Sequence, residues 1–332
     1  MVWYKLLISF ILTVFLTLNS AYSSKPDKKN FNQFILEFSE NKLNKKFDKT
    51  LIKSFVKNTK FIKRVIELDR SQPEFKLTLA EYLNKVVTKN RIKKAKRKYK
   101  ENYKTLKDIE KYFNVQPRFI VALWGIETDF GRVTGFFPVV SSLATLVYDG
   151  RRGSYFEKEL MHALNIIKGG HIKMENMKGS WAGAMGQCQF MPSSFVRYAI
   201  DWDKDKKKDI WTTKKDVFAS ASNYLKSVGW NHNQTWGRKV YFKNKKNVVK
   251  FKKWLELKKW SELGVLKDDK TDLPTVKIKA RLIIPKNSKN SGYLVYNNFE
   301  SILNWNRSNY FGIAVGTLSD HLLNKNLKVS SR

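Results

Sequence analysis

Eleven of the 16 glycines in this 332-residue chain fall between positions 117 and 230, a stretch poor in charge beside the lysine-dense text before it. Glycine serves where backbone must turn left-handed or lie close to another group, so chemistry is expected in this stretch and support on either side of it. Residues 31–113 carry apolar positions three or four apart, such as Phe61, Val65 and Leu68, then Leu79, Leu83 and Val86. That spacing predicts amphipathic helices. Asp69-Arg70-Ser71-Gln72-Pro73 should interrupt them as a loop, because Pro73 disfavours a helical Gln72. From 235 to 297, Lys239-Val240-Tyr241-Phe242 and the run at 276–284 alternate or are β-branched, which predicts a small sheet. Helix returns over 299–323. The expected class is mainly α (α+β): a helical N-terminal part over 24–113, a core from 114–234 and 298–332, and a β insertion at 235–297.

The 10 Trp, 14 Tyr and 22 Phe residues supply apolar surface enough for a core, which excludes disorder. No period recurs, and one apolar run alone approaches spanning length, so repeat arrays and polytopic membrane proteins are excluded too. A single cysteine, Cys188, leaves no disulfide framework and no cysteine-based zinc site; His162, His171, His232 and His321 are scattered. Residues 1–23 read as an export signal: Lys5 is the positive flank, 6–18 the apolar segment, and Ala21-Tyr22-Ser23 the small residues for cleavage. A membrane anchor is the alternative, though the run is shorter than the roughly 20 residues a spanning helix needs. No cysteine stands near for lipid attachment, so a periplasmic location is expected. The formal charge is +35, from 64 Lys+Arg against 29 Asp+Glu. Lysine dominates it, which suits a solvated surface. The densest run, Lys93-Lys94-Ala95-Lys96-Arg97-Lys98-Tyr99-Lys100, can instead hold a polyanion, and export favours an anionic wall polymer or membrane surface over nucleic acid.

In 117–131, proline suits a first helical turn and Gly131 a stop, while Ile120, Leu123, Trp124 and Glu127 share one face. A carboxylate thus rides on an apolar stripe near a helix C-terminus, where burial and the macrodipole both disfavour its charge. Such a Glu suits a general acid; a salt bridge to one of the many lysines, or a stripe that turns outward, is the other reading. Asp129 lies about 200° around the helix and points elsewhere, so no second carboxylate is visible. In 178–194, Gly179, Ser180, Ala182, Gly183 and Gly186 stand beside Trp181, Gln187, Gln189 and Phe190: either backbone close to a ligand such as a sugar, or a tightly packed turn. Arg151 and Arg152 precede Ser154-Tyr155-Phe156-Glu157, a capping-box spacing that predicts a helix start; the arginines either clamp a carboxylate or face solvent. Asp201, Asp203, Asp205, the Lys207 carbonyl and Asp209 follow a calcium loop, with Lys206 where glycine is wanted and Thr212 where a bidentate Glu is wanted. A weak calcium loop and an acidic turn both remain open.

Together, Gly125-Ile126-Glu127-Thr128, Gly179-Ser180-Trp181-Ala182-Gly183-Ala184-Met185-Gly186, Gln189-Phe190-Met191-Pro192-Ser193-Ser194 and Trp305-Asn306-Arg307-Ser308-Asn309-Tyr310 resemble the lytic murein transglycosylase B family. Ser71-Gln72-Pro73-Glu74-Phe75 and Tyr296-Asn297-Asn298-Phe299 extend the likeness over roughly 31–323. The resemblance implies a lysozyme-like helical catalytic domain with a small β region. It implies cleavage of the bond between N-acetylmuramic acid and N-acetylglucosamine in peptidoglycan with 1,6-anhydro product, Glu127 being sole acid and base. Ser180, Gln189, Arg151, Arg152, Asn306 and Tyr310 match its substrate-contacting positions. The loop Asp201, Asp203, Asp205, Lys207, Asp209, Thr212 matches its calcium site, with two departures, at Lys206 and Thr212. Gln187-Cys188 stands where some members carry Tyr-Gly. No cofactor is implied for the chemistry, and a monomer is expected. A hydrolytic muramidase and a non-catalytic basic wall-binding protein are the competing functions.

Overall fold

The computed structural model describes residues 28–71, 77–251 and 253–323, so the export-signal reading and most of the 71–75 motif lie outside the described residues. The N-terminal helices are α1 (Lys28–Phe38), which runs into a π-helical turn at Ser39–Leu43, then α2 (Lys49–Asn58), α3 (Lys63–Arg70), α4 (Leu79–Val86), α5 (Lys89–Glu101) and α6 (Tyr103–Phe113). Then come α7 (Pro117–Thr128), β1 (Phe137–Pro138), α8 (Val139–Asp149), α9 (Gly153–Lys168), β2 (Lys178–Gly179), α10 (Pro192–Tyr198) and α11 (Lys214–Ser227). The β region holds β3 (Gly237–Phe242), α12 (Lys245–Val249), β4 (Leu255–Glu256), α13 (Leu257–Glu262), β5 (Val265–Lys267), β6 (Lys279–Ile283) and β7 (Ser291–Val295), and α14 (Asn297–Trp305) and α15 (Asn309–Asp320) close the chain.

Helix α7 starts on Pro117, whose fixed φ fits the first turn, and buries residues from Phe119 through Gly125 without a gap. A helix apolar all round belongs in the middle of a bundle. It packs against α15, α5, α11 and α6. One continuous core runs from Phe31 and Phe55 through Phe119, Leu143, Leu164 and Phe218 to Phe299 and Leu318.

The β region has a core of its own, built from Val240, Phe242, Val248, Leu257, Trp260, Val265, Leu273, Ala280, Leu294 and Tyr296. Its five strands are antiparallel in the order β4-β6-β7-β3-β5, with Val240 opposite Gly292 and Leu282 opposite Leu294. The run read as a strand over 276–284 is strand over 279–283, and two short helices that the alternation does not show lie in the same region. Strands β1 and β2, two residues each, pair Phe137 with Gly179 and tie the glycine-bearing loop to the start of α8.

Three local expectations are corrected. Asp69 and Arg70 belong to α3 rather than to a loop. Ser154 caps nothing: α9 begins at Gly153, its cap residue Arg152 makes no side-chain cap bond, and Glu157 pairs with Lys42 at 3.0 Å. The tail is two helices, broken at 306–308, where Ser308 caps α15 by accepting from the Phe311 N–H.

Candidate active site

Glu127 occupies the last turn of α7. The helix stops there because Asp129 and Phe130 turn left-handed (φ 49° and 63°) and Gly131 follows at φ 80°. A Cβ on Gly131 would come within 2.3 Å of the Gln187 Oε1, so this turn closes only on glycine. The Glu127 Oε1 accepts a 2.8 Å hydrogen bond from the Trp305 Nε1. Trp305 ends α14 and packs on Phe190 and Tyr224, with ring centroids 5.2 and 4.8 Å away. Ile120, Leu123, Trp124, Cys188, Val217 and Phe218 line, together with Glu127, a cavity of about 10 Å³, room for one water at most.

Burial pushes the Glu127 carboxyl up to about 7, and the Trp305 bond pulls the other way. The side chain nevertheless keeps a partly exposed face. Among the described residues it forms no ion pair, so the salt-bridged alternative is not what forms. Asp129, two positions on, is the opposite case. Burial pushes it up, but hydrogen bonds from Lys94 (2.8 Å) and Arg132 (2.7 Å), with Arg91 nearby, outweigh that and hold it below the usual carboxylate range. One carboxyl of this turn can carry a proton near neutrality and the other cannot.

The loop after β2 is held by its own backbone. The Ser180 Oγ accepts from the Ala184 N–H at 3.0 Å, and Gln189, left-handed at φ 50°, donates to the Thr134 and Gly186 carbonyls. Gln187 fastens this loop to α7: its Oε1 accepts from the Trp124 Nε1 (2.7 Å), its Nε2 donates to the Trp211 carbonyl (2.8 Å), and its own carbonyl accepts from the Thr128 Oγ1 (3.1 Å). The sequence showed Gln187 as a polar residue in a glycine-bearing run, with no sign of these three partners. Tyr82, also unforeseen, interacts electrostatically with Glu127 and lies ring against ring with Tyr310 at 5.7 Å.

Arg151 and Arg152 clamp a carboxylate of the chain itself. Asp69, with a side chain 1% exposed, takes Arg151 at 2.5 Å and Arg152 as well, while both arginine side chains stay about half exposed. Asn306 accepts from the Ser308 N–H at 3.1 Å. Trp305, not among the sequence-derived site residues, is the side chain of that segment which reaches Glu127; a separation of 178 residues hides such a pair from any local pattern.

In the acidic loop, Asp201, Asp203 and Asp205 each bring an oxygen within 4.8 Å of the others. Asp209 and Thr212 bond to each other instead, and Asp209 also accepts from the Trp211 and Thr212 N–H groups at 2.8 and 2.9 Å. The Asp201 carboxylate accepts from the Asp205 and Lys206 N–H groups, and Lys206 stands left-handed at φ 72° where a glycine would be easier. Three converging carboxylates are a hard-cation donor set and would supply three of the six to eight oxygens calcium takes. Beneath them Asp216, fully buried, accepts from the Trp202 and Asp209 N–H groups at 2.8 Å each, and burial pushes it up to about 6.

Residues 30–320 match the transglycosylase SLT domain family. Over 119 residues the chain is 41% identical to the membrane-bound lytic murein transglycosylase B of Escherichia coli, an alignment over 36% of this chain and 33% of that protein, so it spans about a third of this relative. SltB3 of Pseudomonas aeruginosa, solved with NAG-anhNAM-pentapeptide, superposes with a TM-score of 0.84 at 33% identity over 88% of this chain and 79% of that one. SltB1 of the same organism gives 0.76 at 25% identity, over 88% and 98%. The Escherichia coli lytic transglycosylase Slt35 in complex with calcium gives 0.73 at 26% identity, over 89% and 93%.

Proposed function

We infer the reaction from two facts: the chain belongs to the transglycosylase SLT domain family, and Glu127 is largely enclosed by protein, free of ion pairs among the described residues and pushed up to about 7 by burial. We propose that the protein is a peptidoglycan lytic transglycosylase. Protonated Glu127 gives its proton to the glycosidic oxygen between N-acetylmuramic acid and N-acetylglucosamine as that bond to C1 breaks. The carboxylate so formed takes the proton of the muramic C6 hydroxyl, whose oxygen bonds to C1 and closes the 1,6-anhydro ring. Atoms balance without water, and one residue suffices for both transfers. A hydrolytic glycosidase of the usual kind uses a second carboxylate to attack C1 or to activate water. Asp129, the nearest in sequence, is bound to three cations. The anhydro sugar found with SltB3 supports the same outcome.

The partly exposed face of Glu127 opens on the glycan site in this reading, with Ser180, Gln189, Asn306 and Tyr310 as contacts and the half-exposed Arg151 and Arg152 reaching the acidic peptide stem. No cofactor takes part. Asp201, Asp203 and Asp205 would hold a structural calcium ion, which supplies rigidity to the loop and no chemistry. The signal-like 1–23 segment supports a periplasmic location. Lys89, Lys93, Lys96 and Lys100, exposed along one face of α5, support weak association with an anionic wall or membrane surface rather than nucleic acid. Digestion of purified sacculi followed by mass spectrometry tests the reaction: products should be lighter than hydrolytic muropeptides by one water. Reducing-end products would make the protein a muramidase, and no products with retained wall binding would make it a binding module.

A further inference from the structure

Trp305 has no part in the two proton transfers as written, yet it touches the group that performs them. Its indole N–H lies 2.8 Å from the Glu127 Oε1. The ring packs against Phe190 at 5.2 Å and Tyr224 at 4.8 Å, which also touch each other at 5.7 Å. Tyr224 is itself fixed, because its hydroxyl donates to the carbonyl of Asn304, the residue before Trp305, at 2.7 Å. An indole nitrogen donates and never accepts. A proton on Oε1 pointing at that N–H would set two hydrogens against each other.

We propose that Trp305 is a positioning residue that reserves Oε1 of Glu127 as an acceptor and so confines the transferable proton to Oε2. The proposal rests on the reading of Glu127 as sole acid and base, and it adds what a single-residue cycle requires. The proton leaves Oε2 for the glycosidic oxygen, and the C6 hydroxyl returns one to the same Oε2, so the carboxyl need not rotate between the two halves of the reaction. The bond also strengthens as the carboxylate forms, since a donor stabilises the charged acceptor more than the neutral one. Without it the acid would hold its proton to higher pH.

Trp305→Phe keeps the aromatic packing and deletes the N–H. The alkaline limb of sacculus digestion should then move up by on the order of one pH unit, with turnover at the optimum falling because the proton can sit on either oxygen. A second readout uses the unmodified protein labelled with ¹⁵N: the Trp305 indole resonance, identified by its loss in Trp305→Phe, should titrate with a midpoint near 7, the value to which burial raises Glu127. In Glu127→Gln it should be flat. An alkaline limb that stays in place while the rate drops would reduce Trp305 to packing, and an indole resonance that does not titrate would overturn the proposal outright. Both results leave the acid assignment standing as long as Glu127→Gln is inactive. An active Glu127→Gln would instead remove that assignment, and this inference with it.

Discussion

The helical body and the β region bury their polar groups on different terms. In the body, Gln187, Thr128, Glu159 and Asp216 lie inside and spend their side chains on neighbouring segments: Gln187 on Trp124 and Trp211, Glu159 on the N–H and hydroxyl of Ser193, Asp216 on two loop N–H groups. These bonds hold irregular backbone around α7, which ladders cannot do. In the β region, strand ladders satisfy the backbone, and a ten-residue apolar core includes one Trp260 Nε1 bonded to the Ala280 carbonyl at 3.0 Å. The first arrangement positions a reactive group. The second holds a position, because β7 leads through Tyr296 into α14, whose last residue is Trp305. The body should therefore govern chemistry and the β region stability, and substitutions in each can break that division.

Glu127→Gln should separate the two quantities most widely. Activity on sacculi should fall by at least about 10²-fold, the range for losing a general acid. Stability should change the other way above neutral pH. The folded-state value of Glu127 is raised, so its contribution to stability is fully present below about 4.5 and is lost as pH climbs through about 7. The loss approaches about 3 kcal/mol at pH 8 by the usual conversion. The substituted amide has no charge to bury and can still accept from Trp305, so the variant should melt higher than the parent at pH 8 and much the same at pH 4. Equal melting at both pH values would mean that the acid is not desolvated in solution.

Trp260→Ala is the corresponding cut in the β region. It removes a fully buried indole and should cost about 3–5 kcal/mol, while turnover per folded molecule at 20 °C stays within a factor of about two. A large loss of turnover in protein shown folded by circular dichroism would mean that α14 moves with the sheet and that the two regions are not separable. Gln187→Leu lies between these cases. It strands the Trp124 N–H in the core, at about 1–3 kcal/mol, and releases the 200–213 loop from α7, so melting temperature and activity should fall together.

How much of this was legible in the sequence depended on how local the cause was. The carboxyl on α7 was visible from a 3.6-residue period, although the helix proved buried on every side, so the stripe understated its environment. Helix geometry expected Asp129 to point away from Glu127; the residue instead turns left-handed past the helix end, and neither its lowered value nor its pairing with Lys94 and Arg91 from another helix was foreseen. Sheet alternation over 276–284 located β6 to within three residues at its start and one at its end. The capping box at Ser154 failed because two residues of backbone entry, Arg152 and Gly153, were already turning. Trp305, Gln187 and Tyr82 were not assigned because their roles exist only across tertiary contacts. A resemblance transfers positions, whereas the bonds that make those positions work are set by packing.

The acidic loop belongs to the body and should give the smallest effect. Asp203 is the carboxylate of the three not spent on the loop's own N–H groups, whereas Asp201 and Asp205 accept from Asp205, Lys206 and Lys207. Calcium at ten times its dissociation constant would stabilise the fold by about 1.4 kcal/mol, a rise of about 2 °C at this size. Asp203→Asn should abolish that rise with little change in the melting temperature of the metal-free protein. Because Asp209 answers to Asp216 and Trp211 answers to Gln187, the same ion should also slow amide exchange in the last turn of α7. Exchange protection that ends at the loop, with none gained near Glu127, would show that the bonds joining loop to helix fix the average position of the acid but do not transmit the ion's order to it.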